Sequence, residues 1–476
     1  MGISKAPTIY EIFTPVFLHG VSQRAGETIT LATVPDAEWD RVARPGIDTI
    51  WLMGVWSRSA ASQDVSKNEQ WLQEALPDMK DEDIIGSAYS VQSYHVDERF
   101  GGDAGLAVAR QALKQRGISL ILDFVPNHVA MDHEWVASRP EYFIGGSADE
   151  LQEHPEAFVE TPGGIFAKGK DPHYDPWSDV LQLNAFSAPL RTEIATTLQR
   201  IATMADGVRC DMAMLMMNTI FIQTWSERAG DMPADDYWAA MISGVKTNYP
   251  DFIFIAEAYW DTQQTLIDQG FDLCYDKGLY DALIEGSVGG IKNHLQQPVE
   301  YQQHLLRFIE NHDEPRAAAS FPYGKHLAAA VIIATLPGAH LYHDGEREGR
   351  RIRVPVQLNR RADEFSHQPI VLFYDKLWTF INEKNLSDHS WQTLPIRSHL
   401  LRRESRQVLA WTWTGGEDRF AVVVNYTSER ARVNLRLDVK TPKRLLDIVE
   451  GDSNVKWHGN GSRLVLEPWQ HVIIEC

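Results

Sequence analysis

Phe252-Ile253-Phe254-Ile255-Ala256-Glu257 is an apolar run that ends in a carboxylate, and three other stretches share its form. They are Leu120-Ile121-Leu122-Asp123, Gly207-Val208-Arg209-Cys210-Asp211 and Phe308-Ile309-Glu310-Asn311-His312-Asp313. Each is rich in β-formers and leads into a loop and then a helical pattern. Such near-continuous apolar runs read as parallel strands covered on both faces. In a closed barrel of alternating strands and helices, strand ends of one polarity meet at one rim, so the four terminal carboxylates would converge on one pocket. Each could separately serve as a helix N-cap. Four in the same position argue for a shared site, because unpaired buried carboxylates are expensive.

Working outward, strands are expected at residues 8–16, 48–55 and 118–125, then in runs ending at Asp211 and Glu257, within 271–275, in a run ending near Glu310, and at 339–342. Helical patterns at 36–43, 103–115, 188–205, 235–247, 325–336 and 369–382 alternate with them. Residues 89–100 read as a long loop holding Tyr89, Tyr94 and His95. Eight strand–helix units in series predict an α/β fold, a (β/α)8 TIM barrel. From His128 to about Val180 no period is sustained, and a structureless stretch of that length predicts an inserted subdomain after the third strand. After Asn385 short β-branched and aromatic runs (408–414, 419–425, 431–437, 464–476) are split by Gly, Asp and Asn, with a hairpin turn at 414–418. They predict a C-terminal antiparallel β domain. The expected division is a barrel of residues 1–128 and 181–388, an insertion of 129–180, and a β-sandwich of 389–476. Polar residues of that last domain, such as Asn460 and Ser462, are expected to lie away from any reacting group.

Bulk composition is compatible with this reading and excludes others. A chain of 476 residues suits a barrel with insertions plus a small second domain. The net charge of −20, without a basic cluster, speaks against nucleic acid and anionic membranes as partners. Three cysteines, Cys210, Cys274 and Cys476, make no disulfide framework. The first apolar segment contains Glu11 and Pro15 and lacks a basic lead or a cleavage signature, and no stretch is long enough to span a bilayer. A cytoplasmic location is the expectation. No motif speaks to oligomeric state.

Spacing within the fourth run carries a chemical argument. Side chains alternate along a strand, so Arg209 and Asp211 share the pocket face while Val208 and Cys210 face the helices. An adjacent guanidinium would hold Asp211 ionised, although a purely structural ion pair has the same pattern. Glu257 has only Ile255, Ala256, Ala258, Tyr259 and Trp260 beside it in sequence, with no cation, a setting that raises a carboxyl pKa. One depressed and one raised carboxyl on neighbouring strands is the arrangement glycoside hydrolysis requires.

These segments resemble, in order and separation, the α-amylase family, glycoside hydrolase family 13. Asp123-Phe124-Val125-Pro126-Asn127-His128, Gly207 to Asp211, Ile255-Ala256-Glu257 and Glu310-Asn311-His312-Asp313 are similar to its four main conserved regions. Gly86 to Val91, Trp177 to Asn184 and Leu336 to Tyr342 with Gly345-Glu346 resemble further family segments. The resemblance implies a retaining mechanism in which Asp211 attacks the anomeric carbon, Glu257 is the acid/base, and Asp313 binds hydroxyls beside the reacting carbon. It further implies that His128 and His312 donate to hydroxyls of that sugar, that Arg209 orients Asp211, that Tyr89 stacks under the ring and that Asp123 shapes the pocket floor. Without their motifs, the histidines would read as core residues with satisfied hydrogen bonds. Of the 15 tryptophans most are expected in packing, and Trp260, just past Glu257, is the one placed to contact an acceptor sugar.

No cofactor is required. Many members of the family bind calcium between barrel and insertion through the asparagine matching Asn127 and a histidine carbonyl four places after the nucleophile. Here Leu215 stands at that second place, so the sequence is compatible with calcium without supporting it. The insertion carboxylates Asp171, Asp175 and Asp179 read as solvated surface. The leading functional reading is hydrolysis of α-glucosidic bonds in α-glucans or oligosaccharides. The second is transglycosylation or isomerisation with the same residues, a sugar replacing water. The third is a non-catalytic sugar-binding relative, against which the joint presence of Asp211, Glu257 and Asp313 speaks. Gln182-Leu183-Asn184 matches neither family variant tied to linkage, so linkage stays open.

Overall fold

Eight parallel strands close on themselves in chain order, each hydrogen-bonded to its sequence neighbours and the last to the first. They are β1 (Thr8–Phe13), β2 (Thr49–Met53), β3 (Ser119–Phe124), β4 (Gly207–Cys210), β5 (Ile253–Ala256), β6 (Leu273–Tyr275), β7 (Leu305–Arg307) and β8 (Ala339–His343). The structure, a computed structural model, describes residues 4, 6–397, 407–416, 418–435, 437, 442–448, 451–452 and 463–476. Asn460 and Ser462 lie outside the described residues.

Strand alternation sorts the side chains into two cores. Ile9, Phe13, Trp51, Ile121, Ile255, Leu273, Tyr275, Leu306 and Leu341 fill the barrel interior. Ile12, Ile50, Leu122, Val208, Cys210 and Phe254 face outward to the helices. Helix Gly102–Gln115 shows why the helices dock: Leu106, Ala109 and Leu113 recur on one face and are buried. Helix Ala188–Met204 begins with Ser187 capping the Leu190 N–H and a proline in its first turn.

Between β3 and that helix the chain builds the insertion. Strands His128–Ala130 and Val180–Gln182 pair antiparallel at its neck, and Phe158–Thr161 pairs with Gly164–Ala167 further out. At the C-terminal end, Ser390–Thr393, Val408–Gly415, Asp418–Asn425, His471–Glu475, Arg444–Asp447 and Gly451–Asp452 form one antiparallel sheet. Ile396–Arg397, Ala431–Leu435 and Arg463–Leu466 form a second. This part is tied to the barrel by Trp413 Nε1 donating to the Thr335 carbonyl and Tyr426 Oη donating to the Leu283 carbonyl, both at 2.8 Å.

Three local expectations fail, each for a visible reason. The first strand stops at Phe13 rather than at residue 16, because Thr14-Pro15 opens helix Thr14–Ala25, where proline's missing N–H costs nothing. The seventh strand is Leu305–Arg307, so the run from Phe308 to Asp313 is loop. There Asn311 Oδ1 accepts the N–H groups of Asp313 and Glu314, a side-chain turn that competes with the ladder. The expected long loop at 89–100 contains strand Val91–Val96, which pairs with Trp56–Arg58 and buries Val91, Tyr94 and Val96.

Entry into β8 depends on Gly338, which has φ +99°; a Cβ there would lie 2.5 Å from the Leu305 carbonyl oxygen and 2.7 Å from that of Gln302. Both obstacles are backbone. Gly338→Ala is therefore expected to lower stability by at least about 2 kcal/mol in urea unfolding. An unchanged midpoint would mean that the turn before β7 gives way freely.

Candidate active site

Arg209 is the third residue of β4, and its side chain is 1% exposed. Its register partners are Asp123 on β3 and Ile255 on β5. Cys210 pairs with Ala256, so Asp211 and Glu257 each follow directly on paired residues of neighbouring strands. The Arg209 guanidinium joins them: Nη1 lies 2.7 Å from Asp211 Oδ1 and Nη2 2.9 Å from Glu257 Oε2. Asp313 Oδ2 is 3.9 Å from the same Nη2. Nε donates to Tyr275 Oη at 3.2 Å, and the rings of Trp51, Tyr89 and Tyr275 surround the cation at 5.3–5.5 Å.

The three carboxyls differ in proton affinity. Burial raises Glu257, Arg209 pulls the other way, and the charges of Asp211 and Asp313 add to the rise; the result is about 7. Glu257 also accepts from the Met212 N–H at 2.6 Å and from Tyr259 Oη at 2.8 Å. Burial raises Asp211 too, against the opposing pull of Arg209. Asp313 moves the other way: the protein packed around it would raise it, but its side chain stays open to water and His312, with Nε2 at 2.9 Å from Oδ2, brings it down to about 2. This corrects two expectations. The depressed carboxyl is Asp313 rather than Asp211, and Glu257 does have a cationic neighbour. That neighbour comes from the adjacent strand, where local sequence cannot reveal it.

These observations place three carboxyls, one guanidinium and one imidazole at the C-terminal rim of the barrel. Residues 39–269 match the family model described as the alpha-amylase catalytic domain. Over that stretch, just under half of its length, the chain is similar to the α-amylase family. It is 25% identical over 446 residues to alpha-amylase MalA of Haloarcula japonica, a match covering 90% of this chain and 56% of that protein. The chain thus spans little more than half the length of that relative. In fold it is similar to an alpha-amylase from H. orenii (TM-score 0.72, 18% identity, covering 99% of this chain and 100% of that one). It is likewise similar to a maltogenic alpha-amylase, AmyB, from Thermotoga neapolitana (TM-score 0.70, 19% identity, 99% and 98%).

The remaining candidate residues distribute around the rim. Asp123 is buried and accepts from Trp51 Nε1 at 3.1 Å and the Gly54 N–H at 2.6 Å, a position under the Arg209 cluster. Tyr89 Oη is 2.7 Å from His312 Nε2, and the two rings stack at 5.3 Å. His128 is buried, lies against Trp177 at 5.0 Å, and is held neutral by burial, its pKa lowered to about 4. Trp260 is partly open to solvent. It is 39% exposed at φ +56° and meets His173 of the insertion edge-on at 4.7 Å.

Sequence reading missed Glu11, Trp51, Tyr259 and Tyr275. Glu11 had one available signal, a lone acid inside the apolar run of β1. A surface cavity of about 1070 Å³ lies at the opposite end of the barrel, lined among others by Asp48, Gly338 and Trp391. None of the converging groups lines it, so it is not the reacting site.

The residues weighed for calcium have partners within the protein. Asn127 Oδ1 accepts from Gln182 Nε2 at 2.9 Å, Asp171 Oδ1 accepts the N–H groups of His173 and Tyr174, and Asp179 accepts from the Ser62 hydroxyl. Among the described residues no cluster of three or more His, Cys, Asp or Glu is arranged to hold a metal ion.

Removing the shared cation tests the electrostatics. In Arg209→Met the buried Asp211 and Glu257 would bind protons more readily folded than unfolded, so stability should fall as pH rises. The variant is expected to lose about 3–5 kcal/mol at pH 7.5 and to regain part of it at pH 5, in urea titrations at both values. A loss independent of pH would show that neither carboxyl depends on the guanidinium.

Proposed function

We propose that this protein is a retaining glycosidase acting on α-glucosidic bonds of α-glucans or oligosaccharides. The observation that carries the reading is one guanidinium holding two carboxyls from adjacent strands, Asp211 and Glu257, with a third, Asp313, beside them. Adjacent strands lie about 4.8 Å apart, which favours the roughly 5–5.5 Å carboxyl gap of retaining enzymes over the wider gap of inverting ones.

In this reading Arg209 fixes the Asp211 rotamer and favours its ionised form, so that Oδ2 attacks the anomeric carbon. Glu257, whose burial keeps it protonated up to about pH 7, gives its proton to the leaving oxygen and then takes one from the incoming water. Asp313, ionised throughout, accepts from hydroxyls next to the reacting carbon, where hydrogen bonds tighten in the transition state. Tyr89 and His312 wall the same sugar, His128 stands next to them, and Trp260 with His173 offers an aromatic surface on the acceptor side. A cytoplasmic location belongs to the same reading. Cys210, Cys274 and Cys476 are all free thiols, and among the described residues no helix is long and apolar enough to cross a membrane.

Malto-oligosaccharides and isomalto-oligosaccharides, with products read by chromatography and by time-resolved NMR, test the reading. The α-anomer should appear first; a β-anomer first would remove Asp211 as nucleophile. Glu257→Gln should lower kcat by about 10²–10⁴-fold while substrate still binds, and activity with unchanged turnover would sink the acid assignment. In the wild type kcat/KM should decline as pH rises through about 7, where Glu257 loses its proton.

A further inference from the structure

Glu11 has no part in the chemistry described above, yet it occupies a costly position. It stands on β1 between Ile9 and Phe13, which belong to the packed barrel interior, and it is fully buried. Among the described residues no lysine or arginine forms an ion pair with it: its side-chain partner is His312, whose Nδ1 meets Glu11 Oε1, and Oε2 has no hydrogen-bond partner there. An aliphatic side chain would fill this space without burying a charge, and replacing a buried ion pair by apolar residues is often neutral or stabilising. Packing therefore gives no reason for a carboxylate here.

The far side of the imidazole gives one. His312 Nε2 lies 2.9 Å from Asp313 Oδ2 and 2.7 Å from Tyr89 Oη. Tyr89 stacks on one face of the ring, and Trp51 meets it edge-on at 5.5 Å. With Glu11 accepting at Nδ1, the ring can turn neither way, and both N–H groups are committed. We propose that Glu11 is a positioning residue that holds His312 as a doubly donating cation, so that Asp313 and the adjoining sugar hydroxyls meet a fixed N–H. The proposal rests on the reading that Asp313 and His312 line the reacting site.

Other charged and titratable groups face His312. Asp313 on its own loop and Asp123 on β3 favour the cation. His343 on β8 is held neutral by burial, Arg316 and His312 itself. Burial disfavours the His312 cation, but Asp313 and Glu11 together raise it to about 10. With Glu11 neutral, burial is opposed mainly by Asp313, which is open to water.

The test is ¹⁵N NMR of histidine-labelled full-length protein, the His312 signals being identified by their loss in His312→Gln. Wild-type His312 should show the imidazolium pattern from pH 5.5 to 8.5, whereas in Glu11→Gln it should titrate within that range. The ratio of kcat/KM, variant to wild type, should fall with rising pH toward about tenfold per unit above the new ionisation, a comparison in which the titration of Glu257 cancels. Glu11→Asp, which keeps the charge, should restore the imidazolium pattern, and it decides the matter if Glu11→Gln does not fold. A neutral His312 at pH 8.5 in the wild type, a His312 still charged at that pH in Glu11→Gln, or a rate ratio flat across pH would overturn the proposal. Absence of glycosidase activity would overturn the functional reading alone, because the nitrogen titration is read without substrate.

Discussion

The guanidinium of Arg209 sits inside the barrel wall, away from water, against Asp211, Glu257 and the rings of Trp51, Tyr89 and Tyr275. A lone cation in such a place would cost several kcal/mol. The cost is met only by partners that come from β2, β4, β5, β6 and the loop before residue 91. Those partners are adjacent only once the sheet has closed, so closing the barrel and assembling the site are one event. The same requirement explains why the interior is packed with Ile, Phe and Leu up to this layer and turns polar at the rim.

Two buried cations, Arg209 and His312, stand among four carboxyls, Asp211, Glu257, Asp313 and Glu11. Arg209 is shared between Asp211 and Glu257, too little to offset burial for either, so both are raised. Asp313 lies against His312, which also faces Glu11, and is lowered. One group that keeps its proton near neutrality beside one that never holds it is the separation an acid/base site needs. His312 supplies that charge from a position locked between β1 and the loop after β7.

Much of the fold was legible in the sequence. The buried parallel strand β5 is apolar on both faces, β3 and β4 depart from this at Asp123 and Arg209, and the pattern survives without tertiary context. Reading was poorer where side-chain hydrogen bonds decide the backbone. Asn311 turns the chain just past β7, and Thr14-Pro15 converts the end of a β-rich run into a helix start. The strand at 91–96 was read as loop because its apolar positions are interleaved with polar ones and its partner lies more than thirty residues earlier. The structure brings together Asp211, Glu257, Asp313 and His312, which motifs single out, while Glu11, Trp51 and Tyr275, single side chains on other strands, carry no such signal.

Local pattern alone thus fixes that eight strand–helix units follow one another, that Arg209 and Asp211 share a face, and that carboxylates stand at the ends of β3, β4 and β5. These follow from a period of two along a strand and from the cost of burying charge, both of which are local. Only the tertiary structure decided which cation lies against which carboxylate, and hence that Asp313 rather than Asp211 is the strongly ionised one. Electrostatic interaction and desolvation act through space across strands far apart in the chain, and no local pattern carries that sum.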